Sequence, residues 1–209
     1  METKKYLWYA SYGSNLSRDR FMCYIVGGKP KNSSKIEKGC ADKTEPKDDR
    51  PHRIKHALYF ARTSKKWNNG GSCILSVKHD ENKTTLGRKF LITVEQFLDI
   101  VSQNNGVENT QIDFEEVMEK GSKSINKSLS GNILYLGDED GYPIFTFTSH
   151  FDETEFKRPD ILYLATIGAG VKETFGMTTQ EVTDYFMGLD GVKQNYEKHD
   201  LLNQLSQLI

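Results

Sequence analysis

The segment Tyr6-Leu-Trp-Tyr-Ala-Ser-Tyr-Gly-Ser-Asn-Leu16 restricts the fold more than any other stretch of the chain. Its opening run of large apolar residues, Tyr6 to Tyr9, has the pattern of a buried strand. The run stops at Gly13-Ser14-Asn15. Phe21, Met22, Tyr24 and Ile25 then follow at helical spacing, and Gly27-Gly28 ends them. Strand, tight turn and helix start, in that order, leave backbone N–H groups unpaired at a helix N-terminus, where an anion or a developing oxyanion is stabilised. Ser14 and Asn15 add side-chain donors, and Gly13 permits close approach to the backbone.

A length of 209 residues predicts a single domain, 1–209, with a polar insertion at 28–53 and a helical extension at 190–209. With 36% hydrophobic and 27% charged residues, the composition is that of a soluble globular chain. A net charge of −1 gives no electrostatic case for a nucleic-acid or anionic-membrane partner. Cys23, Cys40 and Cys73 are odd in number and unpaired in spacing, which predicts a reducing, cytoplasmic setting and no disulfide framework. Lys4-Lys5 precede an apolar run too short for a signal h-region, and no run reaches the length of a membrane span.

Alternation predicts strands over 56–62, 72–78 and 85–92, so the middle of the chain reads as antiparallel sheet. Thr93-Val-Glu-Gln96 is a capping box for a helix buried through Phe97, Ile100 and Val101 and ended at Gly106. A short acidic helix is expected over 113–120, and two strands at 132–136 and 142–148 around a Gly-Asp-Glu-Asp-Gly turn. Pro159-Asp160 opens a further helix. Gly168 and Gly170 inside it each cost about 1 kcal/mol against Ala and point either to close packing or to a weak helix. Thr178-Thr-Gln-Glu181 caps the next helix. The segment 28–53 reads as a solvated excursion. The stripe Leu201, Leu202, Leu205, Leu208 packs either on its own domain, the preferred choice, or on a second copy in a homodimer.

Tyr12-Gly-Ser-Asn-Leu16, placed directly after an N-terminal strand, resembles the signature of the γ-glutamylcyclotransferase-like superfamily. Gly70-Gly71, Gly87 and the series Pro159, Tyr163, Ile167, Gly170, Glu173 fit the same layout, so the resemblance covers about residues 6–186. The long insertion is similar to a longer bacterial branch. The resemblance implies an α+β fold, a small mixed β-barrel with surrounding helices, and no metal or organic cofactor. It implies a small γ-glutamyl-type ligand held by Tyr12, Gly13, Ser14, Asn15 and Leu16. The implied reaction is an internal aminolysis. The α-amine attacks the γ-carbonyl of its own γ-glutamyl group, 5-oxoproline forms and an amine leaves, with proximity supplying much of the rate. Backbone donors hold the carboxylate or oxyanion, and a carboxylate base moves the proton.

In that family the base is a Glu just past the helix that begins here at Thr93. This chain has Asn104 or Asn105 there, and an amide is no base near neutral pH. Glu108 is the nearest carboxylate. Glu115, Glu116 or an acid in the long insertion are the other sources, and a binding or regulatory module without turnover is the alternative function. His52 and His56, four residues apart, are too far apart in a strand to share one ion. Cys40 reads as an exposed, inert thiol rather than a nucleophile.

Overall fold

A computed structural model describes residues 5–31 and 36–209; Lys4 and positions 32–35 of the insertion lie outside the described residues. The strands are β1 (Tyr6–Ser11), β2 (Asp48–Ile54), β3 (His56–Ser64), β4 (Gly70–His79), β5 (Thr85–Thr93), β6 (Ser122–Ser124), β7 (Asn132–Glu139) and β8 (Tyr142–Thr148). The helices are α1 (Arg18–Val26), α2 (Val94–Asn105), α3 (Phe114–Lys120), α4 (Ile161–Phe175), α5 (Thr179–Met187) and α6 (Lys198–Leu208).

Six strands form one mixed sheet in the order β2-β5-β1-β8-β7-β6, and β3 pairs with β4 in a separate hairpin. β1 and β5 are central and covered on both sides, which is why their sequences run apolar without strict alternation. On one face Leu7 and Tyr9 join Phe21, Tyr24 and Ile25 of α1 and Phe97, Ile100 and Val101 of α2. On the other, Trp8 and Ala10 join the β3–β4 hairpin and the α4–α6 layer through Leu58, Phe60, Leu164, Ile167, Phe186 and Leu201.

The α+β class expected from the sequence is observed, but the described strands do not close into a barrel. The hairpin meets the sheet through threonine side chains rather than a backbone ladder. Thr148 Oγ1 on β8 donates to the Leu75 carbonyl at 2.7 Å and accepts from the Leu75 N–H at 3.1 Å, and Thr85 Oγ1 on β5 donates to the His56 carbonyl at 2.7 Å.

The insertion is more ordered than a solvated excursion. Gly28 and Glu37 exchange backbone hydrogen bonds, and 48–54 becomes edge strand β2, paired antiparallel with β5. Pro51 is tolerated because an edge strand leaves N–H positions that need no partner. Gln96 donates to the Asp42 and Thr44 carbonyls and so ties the insertion to α2. In the extension, Leu201 and Leu205 are buried in the main core, whereas Leu208 is exposed. Among the described residues, no helix is long and apolar enough to cross a membrane.

Candidate functional site

β1 and β8 run parallel, with Trp8 opposite Ile144 and Tyr9 opposite Phe145, so their C-terminal ends emerge together. In sheets with parallel neighbours, ligands bind outside those carboxyl ends. Tyr12, just past β1, donates its hydroxyl hydrogen bond to the Phe147 carbonyl of β8 at 2.9 Å. The chain then makes a single 3₁₀ turn over Ser14–Leu16, closed by Leu16 N–H to Gly13 O at 3.0 Å, before α1 begins.

A hollow of about 190 Å³ opens beside this turn. At roughly 30 Å³ per water it holds about six waters, the size of one amino-acid-like molecule. Tyr12, Gly13, Ser14 and Asn15 line it, along with Tyr9 and Ser11. α1 contributes Tyr24, the β3–β4 connection Lys66 and Trp67, β4 Cys73, α2 Asn104, the 126–130 loop Leu129 and Ser130, and α4 Tyr163. Leu16 does not line it. Its side chain is fully buried in the core beneath the turn.

The turn is held from below. A Cβ on Gly170 of α4 would stand 2.5 Å from Ser17 N and 2.6 Å from the Leu16 carbonyl carbon, so only glycine lets α4 come this close. Arg88 of β5 donates to Asp49 of β2 at 2.8 Å through Nε and to Glu173 of α4 at 2.5 Å, while Arg18 bonds Glu45 at 2.8 Å. This network locks β2, β5, α1 and α4 around the turn.

The two asparagines at the end of α2 have different tasks. Asn104 reaches the hollow, with its amide N–H₂ donating back to the Ile100 carbonyl at 2.8 Å. Asn105 clamps the 126–130 loop, donating to Ser130 O at 3.1 Å and accepting from Asn126 at 3.2 Å and from Ser128. Glu108 is not brought to the hollow. Its side chain is 83% exposed, 3.8 Å from Lys38, in a separate depression between the insertion and α2. Glu116 is occupied with Lys120 and Lys123, whose hydrogen bonds pull its carboxyl down to about 2. Glu115 faces a third, more apolar hollow near Tyr6.

Among the described residues no Asp or Glu lines the hollow beside Gly13. Lys66 on that lining leads to an acid, Glu37 of the insertion. Its side chain is wholly enclosed, and its Oε1 lies 3.2 Å from Lys66 Nζ, which also reaches Tyr24 Oη at 3.4 Å. Burial pushes the hydroxyls of Tyr12, Tyr24 and Tyr163 and the Cys73 thiol upward, and Tyr9 up to about 12, so these groups stay protonated near neutrality.

His52 and His56 stand on different strands, and the His56 Nδ1–H donates to the Ser76 carbonyl at 2.9 Å. Cys40 is buried, contrary to the exposed thiol expected. It donates to the Tyr24 carbonyl at 3.2 Å, and burial raises the thiol to about 12. As site residues, Lys66, Trp67 and Tyr163 were missed from the sequence, because each reaches the hollow from a segment remote from the Tyr12–Leu16 signature.

Fold and site together define an α+β protein with an amino-acid-sized hollow at the parallel ends of its first and last strands. No protein-family model matches the chain. Over 198 residues, 86% of its length, it is 33% identical to histone deacetylase 5 of Arabidopsis thaliana, and it spans 30% of that protein. A solved gamma-glutamyl cyclotransferase aligns with 96% of this chain and 99% of its own, at a TM-score of 0.48 and 14% identity. The structure of an uncharacterized human protein aligns over the same shares at a TM-score of 0.47 and 16% identity.

Proposed function

We propose that the hollow is a receptor for one small γ-glutamyl-type molecule, and that this chain binds it without cyclising it. The observation that carries this is Asn104. It is one of the two positions, Asn104 or Asn105, where the resemblance implies the catalytic Glu; it stands on the wall of the hollow, and its amide is already committed to Ile100 O. Internal aminolysis needs a group that takes a proton from the α-ammonium and later gives one to the leaving amine. Asn104 can do neither. The tyrosines and Cys73 around it are held protonated by burial.

One feature favours a second function, turnover by a relocated base. Lys66 lines the hollow and pairs with Glu37, so a neutral Lys66 with its proton passed to Glu37 is the alternative proton carrier. Incubation of the full chain with a panel of γ-glutamyl amines, followed by calorimetric binding and a 5-oxoproline assay, separates the two. Saturable binding without product is expected, with slow product appearing in Asn104→Glu. Product from the wild type that disappears in Lys66→Met and Glu37→Gln overturns the binding-only function. The activity named in the plant relative is not carried over, because the chain spans 30% of that protein.

A further inference from the structure

Among the described residues that line the hollow beside Gly13, Lys66 alone carries a formal charge. The tyrosine hydroxyls around it stay protonated, and the rest of the wall is amide, hydroxyl, thiol and hydrocarbon. A molecule entering the hollow therefore meets one positive charge on this lining and no negative one. The Lys66 side chain is 31% exposed, so it is not sealed in the core. Behind it stands Glu37, wholly enclosed and not part of the lining, with Oε1 3.2 Å from Lys66 Nζ. Lys66 thus separates a buried carboxylate from the hollow.

That carboxylate is held firmly. Glu37 and Gly28 exchange backbone hydrogen bonds at 2.8 and 3.0 Å, and the Cys40 N–H donates to the Ile25 carbonyl of α1 at 2.9 Å. The Gly39 N–H donates to Gln103 of α2 at 3.2 Å. Gly39 lies at φ +82°, and a Cβ there would stand 2.6 Å from Gly27 N, so the insertion is pressed onto the end of α1. Lys66 is anchored from its own side as well. Its neighbour Trp67 is buried and stacks on Tyr163 with ring centres 4.4 Å apart, and the Asn69 N–H closes the turn on Ser64 O at 2.9 Å. Tyr24 Oη, which also belongs to a residue of the lining, lies 3.4 Å from Nζ. A lysine free in solvent loses much rotamer entropy when it is fixed in one geometry. Here Glu37 and Tyr24 fix the ammonium before a ligand arrives, and such preorganisation favours binding. Of the charged groups on a γ-glutamyl molecule, the α-carboxylate is attracted to this point and the α-ammonium is repelled.

We infer that Lys66 binds the carboxylate of the ligand in this hollow and that Glu37 is its positioning residue, which makes the insertion a working part of the site. This rests on the ligand-binding function proposed above and names the group of the ligand that the wall recognises.

The test uses the full chain. Calorimetry compares γ-glutamyl methylamide with 4-amino-N-methylbutanamide, which lacks only the carboxylate. The wild type is expected to prefer the first by ~10-fold or more, and Lys66→Arg to keep a preference. The double variant Glu37→Gln with Lys66→Met removes both charges together and strands neither, and it is expected to bind the two probes equally. Glu37→Gln alone is expected to shrink the preference by weakening the first probe only, whereas a merely structural role would weaken both probes in parallel. Wild-type crystals soaked in γ-glutamyl methylamide require no variant to fold, and the ligand carboxylate is expected within hydrogen-bonding distance of Lys66 Nζ. If neither probe binds, the function proposed above fails, and a selenate soak then decides the role of Lys66 by itself: an anomalous peak beside Nζ supports it, and sites that all avoid Lys66 overturn it. An equal carboxylate preference in the wild type and the double variant, or a bound ligand whose carboxylate turns away from Lys66, also overturns the inference.

Discussion

Gly170 shows how a single atom sets the geometry of this site. Gly→Ala inside a helix ordinarily gains up to about 1 kcal/mol. Here the added methyl meets the backbone of Ser17 and Leu16, which cannot rotate away. Gly170→Ala is therefore expected to destabilise the protein by about 1–3 kcal/mol and to displace the Ser14–Leu16 turn. Urea denaturation checks the sign, since a gain in stability would mean that α4 does not rest on the turn. Asn105 is a second such position. Asn105→Ala removes bonds to Ser130, Asn126 and Ser128 together, at a cost of about 1–3 kcal/mol, and frees the Leu129–Ser130 wall of the hollow. Proteolytic nicking within 126–130, faster than in the wild type, is the expected readout.

Threonines carry much of the work between elements. Thr93 caps α2 with the reciprocal Gln96 bond, so Thr93→Ala should cost about 1 kcal/mol in denaturant unfolding. Thr148 acts differently, because its hydroxyl replaces a missing ladder bond between β8 and β4. Thr148→Val keeps the shape but strands the buried Leu75 N–H and carbonyl, at about 1–3 kcal/mol for each group left without a partner. Hydrogen exchange at the Leu75 amide should accelerate selectively, and unchanged protection there would show that the hairpin is held by packing alone. The capping boxes were legible in the sequence because their partners lie three residues apart. Thr148 was not, since its partner Leu75 is 73 residues away.

For the molecule as a whole, acid is the vulnerable side. Burial, with Lys89 nearby, pulls the His52 imidazole down to about 4, and burial also lowers His56. The unfolded chain then binds protons between about pH 6.5 and 4 that the folded protein refuses. Stability should be full above pH 6.5 and fall as pH drops toward 4, by on the order of 2 kcal/mol from His52 alone. His52→Gln should flatten that part of a pH series of unfolding midpoints, and an unchanged slope would mean that the ring is solvated in the folded state.

Periodicity and capping are local, and they wrote β1, the α2 and α5 starts, the Asp160-capped α4 and the Tyr12–Asn15 turn directly into the chain. Strand β2 stayed hidden because its residues are polar and include Pro51. Its order comes from pairing with β5 and from the Arg88–Asp49 bridge, not from its own pattern. The wall that joins Trp67, Tyr163 and Asn104 to that turn depends on the parallel alignment of β1 with β8 and on how α4 seats against the turn at Gly170. Neighbours three or four residues apart meet whatever the rest of the chain does. Residues a hundred apart meet only when the packed core brings them together, and at this site that decides which chemistry surrounds the turn.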